Sequence, residues 1–227
     1  VKCAEAAGIK VANTPNASSI SVAEMAIAMM FGLAKKLTYL DSSMKNGKWV
    51  KKGYKAMELC GKTVGIIGMG RIGQEVARRA LGLGMHVHFH VRSILTFDPT
   101  GMGTEQHPMN VILEESDFIT LHVPFIKEHG PLLKAEHFAR MKDGVFIINC
   151  ARGGVVDEKA LLDALKSGKV AGAGIDVFET EPAFREEFKA FENVILTPHV
   201  AASTKEGQAR VGSEVAKIII DFYEATK

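Results

Sequence analysis

Three side chains that could act together in catalysis follow predicted strands in the second half of the chain. Arg152, Glu181 and His199 each come shortly after an apolar run. Because the carboxyl ends of parallel strands border one crevice, we expect these side chains to converge. A guanidinium, a carboxylate and an imidazole suit redox chemistry on an alcohol or ketone. His199 would exchange a proton, Glu181 would orient it, and Arg152 would bind a carboxylate or carbonyl. Taken singly, each residue also fits a structural histidine or a surface ion pair.

A glycine-rich turn near the middle of the chain indicates the second reactant. The pattern Gly68-x-Gly70-x-x-Gly73 follows the apolar run Thr63–Ile67 and precedes a helical pattern. In this context Gly68 suits a tight turn, Gly70 a close approach to a pyrophosphate, and Gly73 the packing of helix on strand. The turn therefore predicts a dinucleotide site.

The position that usually distinguishes the two nicotinamide cofactors carries no acid. A carboxylate about 20 residues after the last glycine commonly holds the ribose hydroxyls, but here the corresponding residue is Val91. Arg92 follows it and could bind the 2′-phosphate of NADP; it also fits a solvated loop residue. Asp98 comes too late unless the loop carries an insertion. The sequence leaves NAD and NADP both open.

Alternating strands and helices must position these residues. The sequence predicts six buried strands, at Thr63–Ile67, Val87–Val91, Phe118–Leu121, Val145–Asn149, Ala173–Val177 and Val194–Leu196. Helices are predicted at Arg71–Leu83, Lys134–Arg140 and Asp157–Ser167, with Asp157 as N-cap and Gly168 beyond the end. Near-continuous apolar strands with crossover helices favour an α/β fold, a Rossmann-type doubly wound parallel sheet with helices on both faces.

The two ends of the chain carry further patterns. Gly8–Pro15 reads as a short strand that ends in a turn. Ser21–Glu24 is a capping-box pattern that opens a long helix, apolar on several sides and therefore buried or in an interface. Ser42–Cys60 is a polar arm around Trp49, and Ser203–Glu206 is a second capping box that opens a closing helix to residue 223.

Composition excludes several other classes of protein. The 227 residues are 47% hydrophobic and carry a formal net charge of +2, which gives no support to nucleic-acid or membrane partners. The three cysteines are odd in number and lack metal-ligand spacing, so no metal site is predicted. They favour a reducing setting, and we expect a cytoplasmic location.

The set of motifs resembles the D-isomer-specific 2-hydroxyacid dehydrogenases. The matching segments occur in the family's order and are Val64–Gly73, Ser116–Pro124, Met141–Asp157, Gly174–Pro182 and Thr197–His199. Within the family, Ser43–Trp49, Asn149–Gly154 and Ser203–Glu206 are most similar to D-3-phosphoglycerate dehydrogenases, which act in serine biosynthesis. Glyoxylate/hydroxypyruvate reductases share most of these features and remain an alternative.

The resemblance implies a role for each of the three converging residues. Arg152 would bind the carboxylate and carbonyl oxygen of a 2-hydroxy or 2-oxo acid. His199 would take the hydroxyl proton as hydride leaves C2 for the nicotinamide. Glu181 would hold His199 and favour its protonated form. Phe125 and its neighbours lack the hydroxyl residues usual in the family, so no role is carried onto them.

The resemblance also implies which residues contact NAD or NADP. Arg71 and Ile72 would face the pyrophosphate, and Asp176 would contact the nicotinamide carboxamide. The complete set of expected cofactor contacts is Gly68, Gly70, Arg71, Ile72, Gly73, Arg92, His122, Val123, Pro124, Cys150, Ala151, Asp176 and His199.

The same resemblance implies a domain organisation. Residues 1–227 would form one dinucleotide-binding domain, in which 1–20 and 205–227 lie near a hinge to a substrate domain absent from this chain. Residues 21–60 would form the long helix and an arm through which a homodimer assembles. Because the chain enters in mid-pattern at Val1, we expect a fragment or processed product that binds cofactor with little turnover.

Two other classes of protein fit part of this pattern. The C-terminal binding protein corepressors resemble the same family and keep the three polar residues, so a non-catalytic dinucleotide sensor is an alternative. Formate dehydrogenases pair their histidine with glutamine, and Glu181 followed by Pro182 argues against them.

Overall fold

A seven-stranded parallel sheet organises the protein in a computed structural model that describes residues 1–95 and 97–225. Its strand order is β3-β2-β1-β4-β5-β6-β7. The strands are β1 Thr63–Ile67, β2 His86–His90, β3 Glu105–Gln106, β4 Phe118–Leu121, β5 Val145–Asn149, β6 Val170–Ile175 and β7 Val194–Leu196. Residues 226–227, which the predicted domain includes, lie outside the described residues.

Eight α-helices accompany the sheet in the described part of the chain. They are α1 Lys2–Ala6, α2 Ser19–Ala34, α3 Leu37–Lys45, α4 Arg71–Gly82, α5 Met109–Glu115, α6 Ala135–Arg140, α7 Glu158–Ser167 and α8 Lys205–Glu224, with a 3-10 helix at Glu186–Ala190. None of these helices combines the length and apolar composition needed to cross a membrane.

Strand side chains alternate between two hydrophobic cores, one on each face of the sheet. Ile66 and Phe118 lie in the core beneath α2 and α4, whereas Ile67 and Ile119 lie in the core beneath α5, α6 and α7. Both faces are buried, which explains why the central strands are almost wholly apolar. The predicted Rossmann-type sheet with helices on both faces is confirmed.

Strand order reverses beside β1, and this creates the crevice where a ligand can bind. β1 pairs with β2 on one side and with β4 on the other, both in parallel. The chain therefore leaves β1 toward one edge of the sheet and later returns through β4 toward the other edge. Loops after β1 and β4 diverge at this point, and ligands of doubly wound sheets bind there.

Several predicted elements differ from those in the structure. The strand predicted at Gly8–Pro15 was wrong: no strand forms there, and the apolar side chains of Ile9 and Val11 are exposed. β2 begins and ends one residue earlier than predicted, and β6 runs over Val170–Ile175 rather than Ala173–Val177. The two-residue strand β3 was not predicted.

Two of the predicted helix starts also need correction. α2 begins at Ser19, before the predicted cap Ser21, whose hydroxyl instead lies 2.7 Å from Oγ1 of Thr204. Thr204, not Ser203, caps α8 by accepting a hydrogen bond from the Gly207 N–H. The cap predicted at Asp157 is confirmed, because its carboxylate accepts from the Ala160 N–H.

Helix α2 is buried within the chain itself. It packs on α4 and on strands β5, β6 and β7, and its buried residues include Ala26, Met30 and Leu33. Its apolar character on several sides is therefore accounted for by the domain core. The arm that follows is different, since Trp49 keeps 77% of its surface exposed.

Candidate active site

The glycine turn after β1 has the close contacts that its spacing predicts. A Cβ on Gly68, where φ is +100°, would lie 2.4 Å from the carbonyl oxygen of His122. A Cβ on Gly73 would lie 2.1 Å from the Gly68 carbonyl oxygen. Both positions therefore require glycine for contacts within the chain. A Cβ on Gly70 would meet nothing within 4 Å, so this glycine faces the space where a ligand can approach.

A cleft of about 730 Å³ opens beside this turn. Gly68 and Gly70 form one wall, and Val123 and Pro124 after β4 form another. Helix α4 begins at Arg71, next to the cleft, so the N–H groups of its first turn are available to an anion. The turn, the open space at Gly70 and the helix start fit the pyrophosphate of a dinucleotide.

The far end of the cleft, after β2, carries a cation instead of an acid. Val91, Arg92 and Ser93 line it, and Arg92 is exposed. No carboxylate occurs among the described residues that line this cleft. Asp98 accepts hydrogen bonds from the backbone N–H groups of residues 100 and 102–104 and is thus committed to its own loop.

His122 lies beneath the glycine turn at the end of β4. Its Nε2 is 3.0 Å from the Thr120 hydroxyl, and its buried Nδ1 has no hydrogen-bond partner among the described residues. Burial lowers the pKa of His122 to about 4, so this imidazole is neutral at physiological pH.

The three residues predicted to converge share one pocket of about 450 Å³. Arg152, Glu181 and His199 line it together with Pro124 and Phe125. Pro124 and Phe125 also line the larger cleft, so the two spaces adjoin. The sequence assigned no role to Phe125, which the structure places in the shared wall.

Glu181 and His199 form a hydrogen-bonded pair. Nδ1 of His199 lies 2.8 Å from Oε2 of Glu181, whose other oxygen accepts from the Phe178 N–H at 3.0 Å. The hydrogen bond to His199, followed by that from Phe178, lowers the pKa of Glu181 below its usual range. The carboxylate is therefore ionised at neutral pH and held in one orientation.

The loop that carries His199 is anchored by Asp176, which is fully buried. The Asp176 carbonyl accepts from the His199 N–H at 2.8 Å, and the carboxylate accepts from the Thr197 hydroxyl at 2.5 Å. The N–H groups of Val200 and Ala201 complete the set at 2.9 Å each. These bonds hold His199 at φ 54°, a left-handed conformation uncommon outside glycine.

Asn149 at the end of β5 positions Arg152 and was not identified from the sequence. Its side-chain oxygen accepts from the Ala151 N–H at 3.1 Å, and its amide donates to the Arg152 carbonyl at 3.2 Å. Asn149 is the one polar residue of an otherwise apolar strand, and this difference is the sequence feature that could have identified it. Arg152 itself is exposed, and its Nη1 donates to the Ala151 carbonyl at 2.6 Å.

Other expected cofactor contacts differ in how accessible their side chains are. Cys150 and Ala151 are buried at the end of β5, and burial raises the pKa of the Cys150 thiol to about 12. The Asp176 carboxylate is engaged with the His199 loop, as described above. Ile72 is half-buried in the first turn of α4. Contact of each of these residues with a cofactor stays a prediction.

A family model described as the NAD-binding domain of D-isomer-specific 2-hydroxyacid dehydrogenases matches residues 27–201. The chain belongs to this family. The resemblance inferred from the motifs is thereby confirmed, as is the assignment to a family of NAD-dependent oxidoreductases.

Two similar dehydrogenases bear different names. The chain is 46% identical over 226 residues to a hydroxypyruvate reductase of Thermotoga maritima, covering 96% of this chain and 72% of that protein. It is also 46% identical over 215 residues to the D-3-phosphoglycerate dehydrogenase of Homo sapiens, covering 95% of this chain and 40% of that protein. The chain thus spans less than half the length of the latter, and the identities do not separate the two substrates.

A solved dehydrogenase shares the fold. The crystal structure of D-lactate dehydrogenase from Aquifex aeolicus, complexed with NAD and lactic acid, matches with a TM-score of 0.87 and 35% identity. The match covers 99% of this chain and 72% of that one. A nicotinamide dinucleotide is therefore the cofactor of this 2-hydroxyacid dehydrogenase family, in agreement with the dinucleotide site that the glycine turn predicted.

Proposed function

We propose that this chain is the cofactor-binding domain of an enzyme that transfers a hydride between nicotinamide and C2 of a D-2-hydroxy or 2-oxo acid. The observation that carries the proposal is the Glu181–His199 pair, with its 2.8 Å hydrogen bond, in one pocket with Arg152. That pocket adjoins the cleft at the glycine turn. A small substrate bound between Arg152 and His199 would thus lie next to the space that a dinucleotide would occupy.

His199 is the proton donor and acceptor in this proposal. Because Nδ1 faces Glu181, Nε2 is the ring nitrogen left to exchange a proton with the C2 oxygen. In the oxidation direction, Nε2 takes the hydroxyl proton, and the ionised Glu181 stabilises the resulting imidazolium. In the reduction direction, Nε2 returns that proton to the oxygen.

Arg152 binds and orients the substrate. Its guanidinium presents several N–H groups in a fixed plane, which suits a carboxylate and the neighbouring C2 oxygen together. Asn149 fixes the backbone on both sides of Arg152, so the guanidinium starts from a defined loop. The positive charge also stabilises negative charge that develops on the C2 oxygen.

The cofactor would be held by the residues around the glycine turn. Gly70 and the first turn of α4, with Arg71 and Ile72, would contact the pyrophosphate, and Arg92 would lie at the adenosine end. When bound, the nicotinamide supplies the hydride acceptor or donor for C2. The protein contributes position and charge.

A 3-phosphoglycerate dehydrogenase-like activity is our first candidate. Support comes from the human relative at 46% identity and from the three segments that resemble that group. A hydroxypyruvate reductase is the second candidate, favoured by the Thermotoga maritima relative, of which the chain covers the larger share. The two substrates share the carboxylate and C2 oxygen that Arg152 would bind and differ at C3.

Turnover assays would separate these candidates. The natural protein that carries this sequence would be assayed with phosphohydroxypyruvate, hydroxypyruvate and glyoxylate under identical conditions. We expect the highest kcat/KM with phosphohydroxypyruvate, whereas preference for hydroxypyruvate would support the second candidate. Tight cofactor binding with no turnover of any of the three would support the dinucleotide-sensing corepressor alternative instead. For the isolated chain we expect cofactor binding with little turnover.

Arg92 gives a test of cofactor choice by calorimetric titration with NADH and NADPH. Loss of a charge-assisted hydrogen bond should weaken NADPH binding about 10-fold in Arg92→Ala and leave NADH binding nearly unchanged. Arg78→Ala, which removes an exposed arginine on α4, is the matched control. If wild type prefers NADH and Arg92→Ala binds both cofactors as wild type does, Arg92 is not a phosphate ligand.

A further inference from the structure

A histidine-rich cluster lies at the edge of the sheet, on β2 and β3. His88 of β2 is the register partner of Glu105 of β3, so their side chains share one face of the sheet. His107 follows Glu105 by two residues and therefore projects to that same face. Glu115, at the end of α5, approaches His88. The residues come from three separate stretches of chain, and no sequence spacing predicted their meeting.

The side-chain atoms of this cluster are close enough to share a ligand. One nitrogen or oxygen from each of His88, Glu105 and His107 lies within 4.8 Å of the others. Nε2 of His107 is 3.2 Å from Oε2 of Glu105, and Nδ1 of His88 is 3.9 Å from Oε2 of Glu115.

His88 is the member of the cluster that most needs explanation. Its side chain is only 16% exposed, and no residue that the structure describes forms a hydrogen bond with its buried Nδ1. A buried polar atom left unpaired is costly, and most such atoms in proteins are hydrogen-bonded or bound to an ion. A metal cation beside His88 would accept the lone pair of this nitrogen.

We propose that His88, Glu105 and His107 bind a divalent transition-metal ion of the zinc class, with Glu115 as a fourth ligand. Two imidazoles with carboxylates form a donor set that suits zinc, cobalt or nickel better than magnesium or calcium, which prefer oxygen ligands alone. Zinc binds nitrogen and oxygen at about 2.0–2.2 Å in tetrahedral geometry, so its ligand atoms lie roughly 3.3 Å apart.

Only modest side-chain movement is needed to reach that geometry. The Glu105 and Glu115 side chains are 68% and 57% exposed, so both can rotate toward the histidines without disturbing the core. The rings of His88 and His107 already stand with centroids 4.3 Å apart.

Metal binding here would tether the loop that lines the cofactor cleft. Val91–Ser93 lie between His88 and Glu105 in the chain, and β3 is a two-residue edge strand. A metal that joins β2 to β3 would close this loop at both ends and stabilise it against opening. The proposed site is thus structural, and it lies apart from the pocket of Arg152 and His199.

Calorimetric titration of the chelator-treated protein with Zn²⁺ tests the proposal, with Mg²⁺ as a comparison. We expect one saturable Zn²⁺ site per chain and no comparable binding of Mg²⁺. Glu105→Gln and His107→Asn should each weaken Zn²⁺ binding by at least about 10-fold. Both changes fall at side chains with solvent access, so the fold should persist. Co²⁺ should give the intense visible absorption of a tetrahedral site, and His107→Asn should lose it.

Matched variants test whether Zn²⁺ binds instead at other carboxylates, imidazoles or thiols of the chain. Glu128→Gln and His129→Asn change an exposed carboxylate and imidazole in another loop, and Zn²⁺ affinity should not change. The double variant Cys3→Ser/Cys60→Ser removes both exposed thiols, and His199→Asn removes the other imidazole–carboxylate pair. The proposal is overturned if Zn²⁺ binding is absent, or if it follows these variants rather than Glu105 and His107.

Discussion

At the residue scale, the chemistry of the proposed site depends on one ring nitrogen of His199. General acid–base catalysis contributes ~10²–10⁴-fold, so His199→Asn in the natural protein should lower turnover by about that factor. Asparagine tolerates the left-handed backbone found at this position, so the loop should keep its shape. Cofactor affinity, measured by titration with NADH, should be nearly unchanged. Normal turnover in this variant would remove His199 from the mechanism.

The convergence of Arg152, Glu181 and His199 was foreseeable from the sequence for a simple reason. Each follows a strand, and parallel strands bring their carboxyl ends to one side of the sheet. The hydrogen bonds that fix their positions were not foreseeable, because they come from Asn149 and Asp176 through backbone geometry that no spacing expresses. The family resemblance implied a cofactor contact for Asp176, which stays a prediction; in the structure its carboxylate holds the His199 loop.

The metal site that we propose could not have been inferred from the sequence. No site was predicted from cysteine spacing, whereas the candidate ligands are histidines and glutamates. His88 and His107 are distant in sequence, and only the pairing of β2 with β3 brings them together. Because β3 lacks apolar residues, no residue pattern indicated the strand on which this pairing depends.

At the scale of elements, the loop between β2 and β3 is organised by one carboxylate. Asp98 accepts from the N–H groups of Thr100, Met102, Gly103 and Thr104 and from the hydroxyls of the two threonines. Burial alone would raise the pKa of Asp98, but these hydrogen bonds together lower it far below its usual range. The loop is thus most stable while Asp98 is ionised.

Replacing this carboxylate should release the loop. In Asp98→Asn, hydrogen exchange at the amides of Met102 and Gly103 should speed up by about 10-fold at pH 7, because charge-assisted acceptors are lost. Amides of β1 serve as the internal control and should not change.

The effect should depend on pH in a defined direction. The folded-state pKa is depressed, so the stabilisation is complete above the ordinary carboxyl value of about 3.9 and declines as pH falls below it. The difference between wild type and variant should therefore shrink at pH 3 relative to pH 5. A difference that grows on acidification would contradict this account of the loop.

Four of the seven strands have the bounds that the sequence predicted. β1, β4, β5 and β7 have the predicted bounds, since apolar runs ended by polar or glycine residues leave little choice of length. β6 was misplaced because Val170–Gly172 follows closely on Gly168 and reads as part of a turn. The segment Gly8–Pro15 has strand-like composition, but no neighbouring strand is there to accept its hydrogen bonds.

At the scale of the whole molecule, support for the predicted homodimer comes from the arm Ser42–Cys60 rather than from α2. Most apolar side chains of α2 are covered within the chain, so its composition alone does not require a second subunit. Trp49 remains largely exposed beside a groove of about 1060 Å³ that Tyr54 and Phe191 also line. An exposed tryptophan next to such a groove favours association between copies.

Light scattering tests this prediction. Wild type should be dimeric at low micromolar concentration, and Trp49→Ala should raise the dissociation constant by at least about 10-fold, as loss of an aromatic hot spot does. Ile94→Ala, which removes another exposed apolar side chain, should leave the dimer intact. A wild-type chain that is monomeric at high micromolar concentration would contradict the homodimer.

The hinge to a substrate domain is predicted to lie near residues 1–20 and 205–227, at the two ends of the chain. α8 carries exposed apolar side chains along its length, among them Val211, Val215 and Ile219. Their exposure is compatible with packing against a further domain, which stays a prediction. Both candidate substrates would present the same carboxylate and C2 oxygen to Arg152, which explains why the motif around this residue did not distinguish them.

The contact between Gly153 and the loop after β6 constrains how this protein can diverge. A Cβ on Gly153 would lie 1.7 Å from the carbonyl oxygen of Phe178, so the loops that carry Arg152 and Glu181 touch backbone to backbone. An insertion in either loop would separate the anion-binding group from the acid–base pair. We therefore expect the two loops to keep their lengths together, and changes in length to be confined to segments that lack such backbone contact.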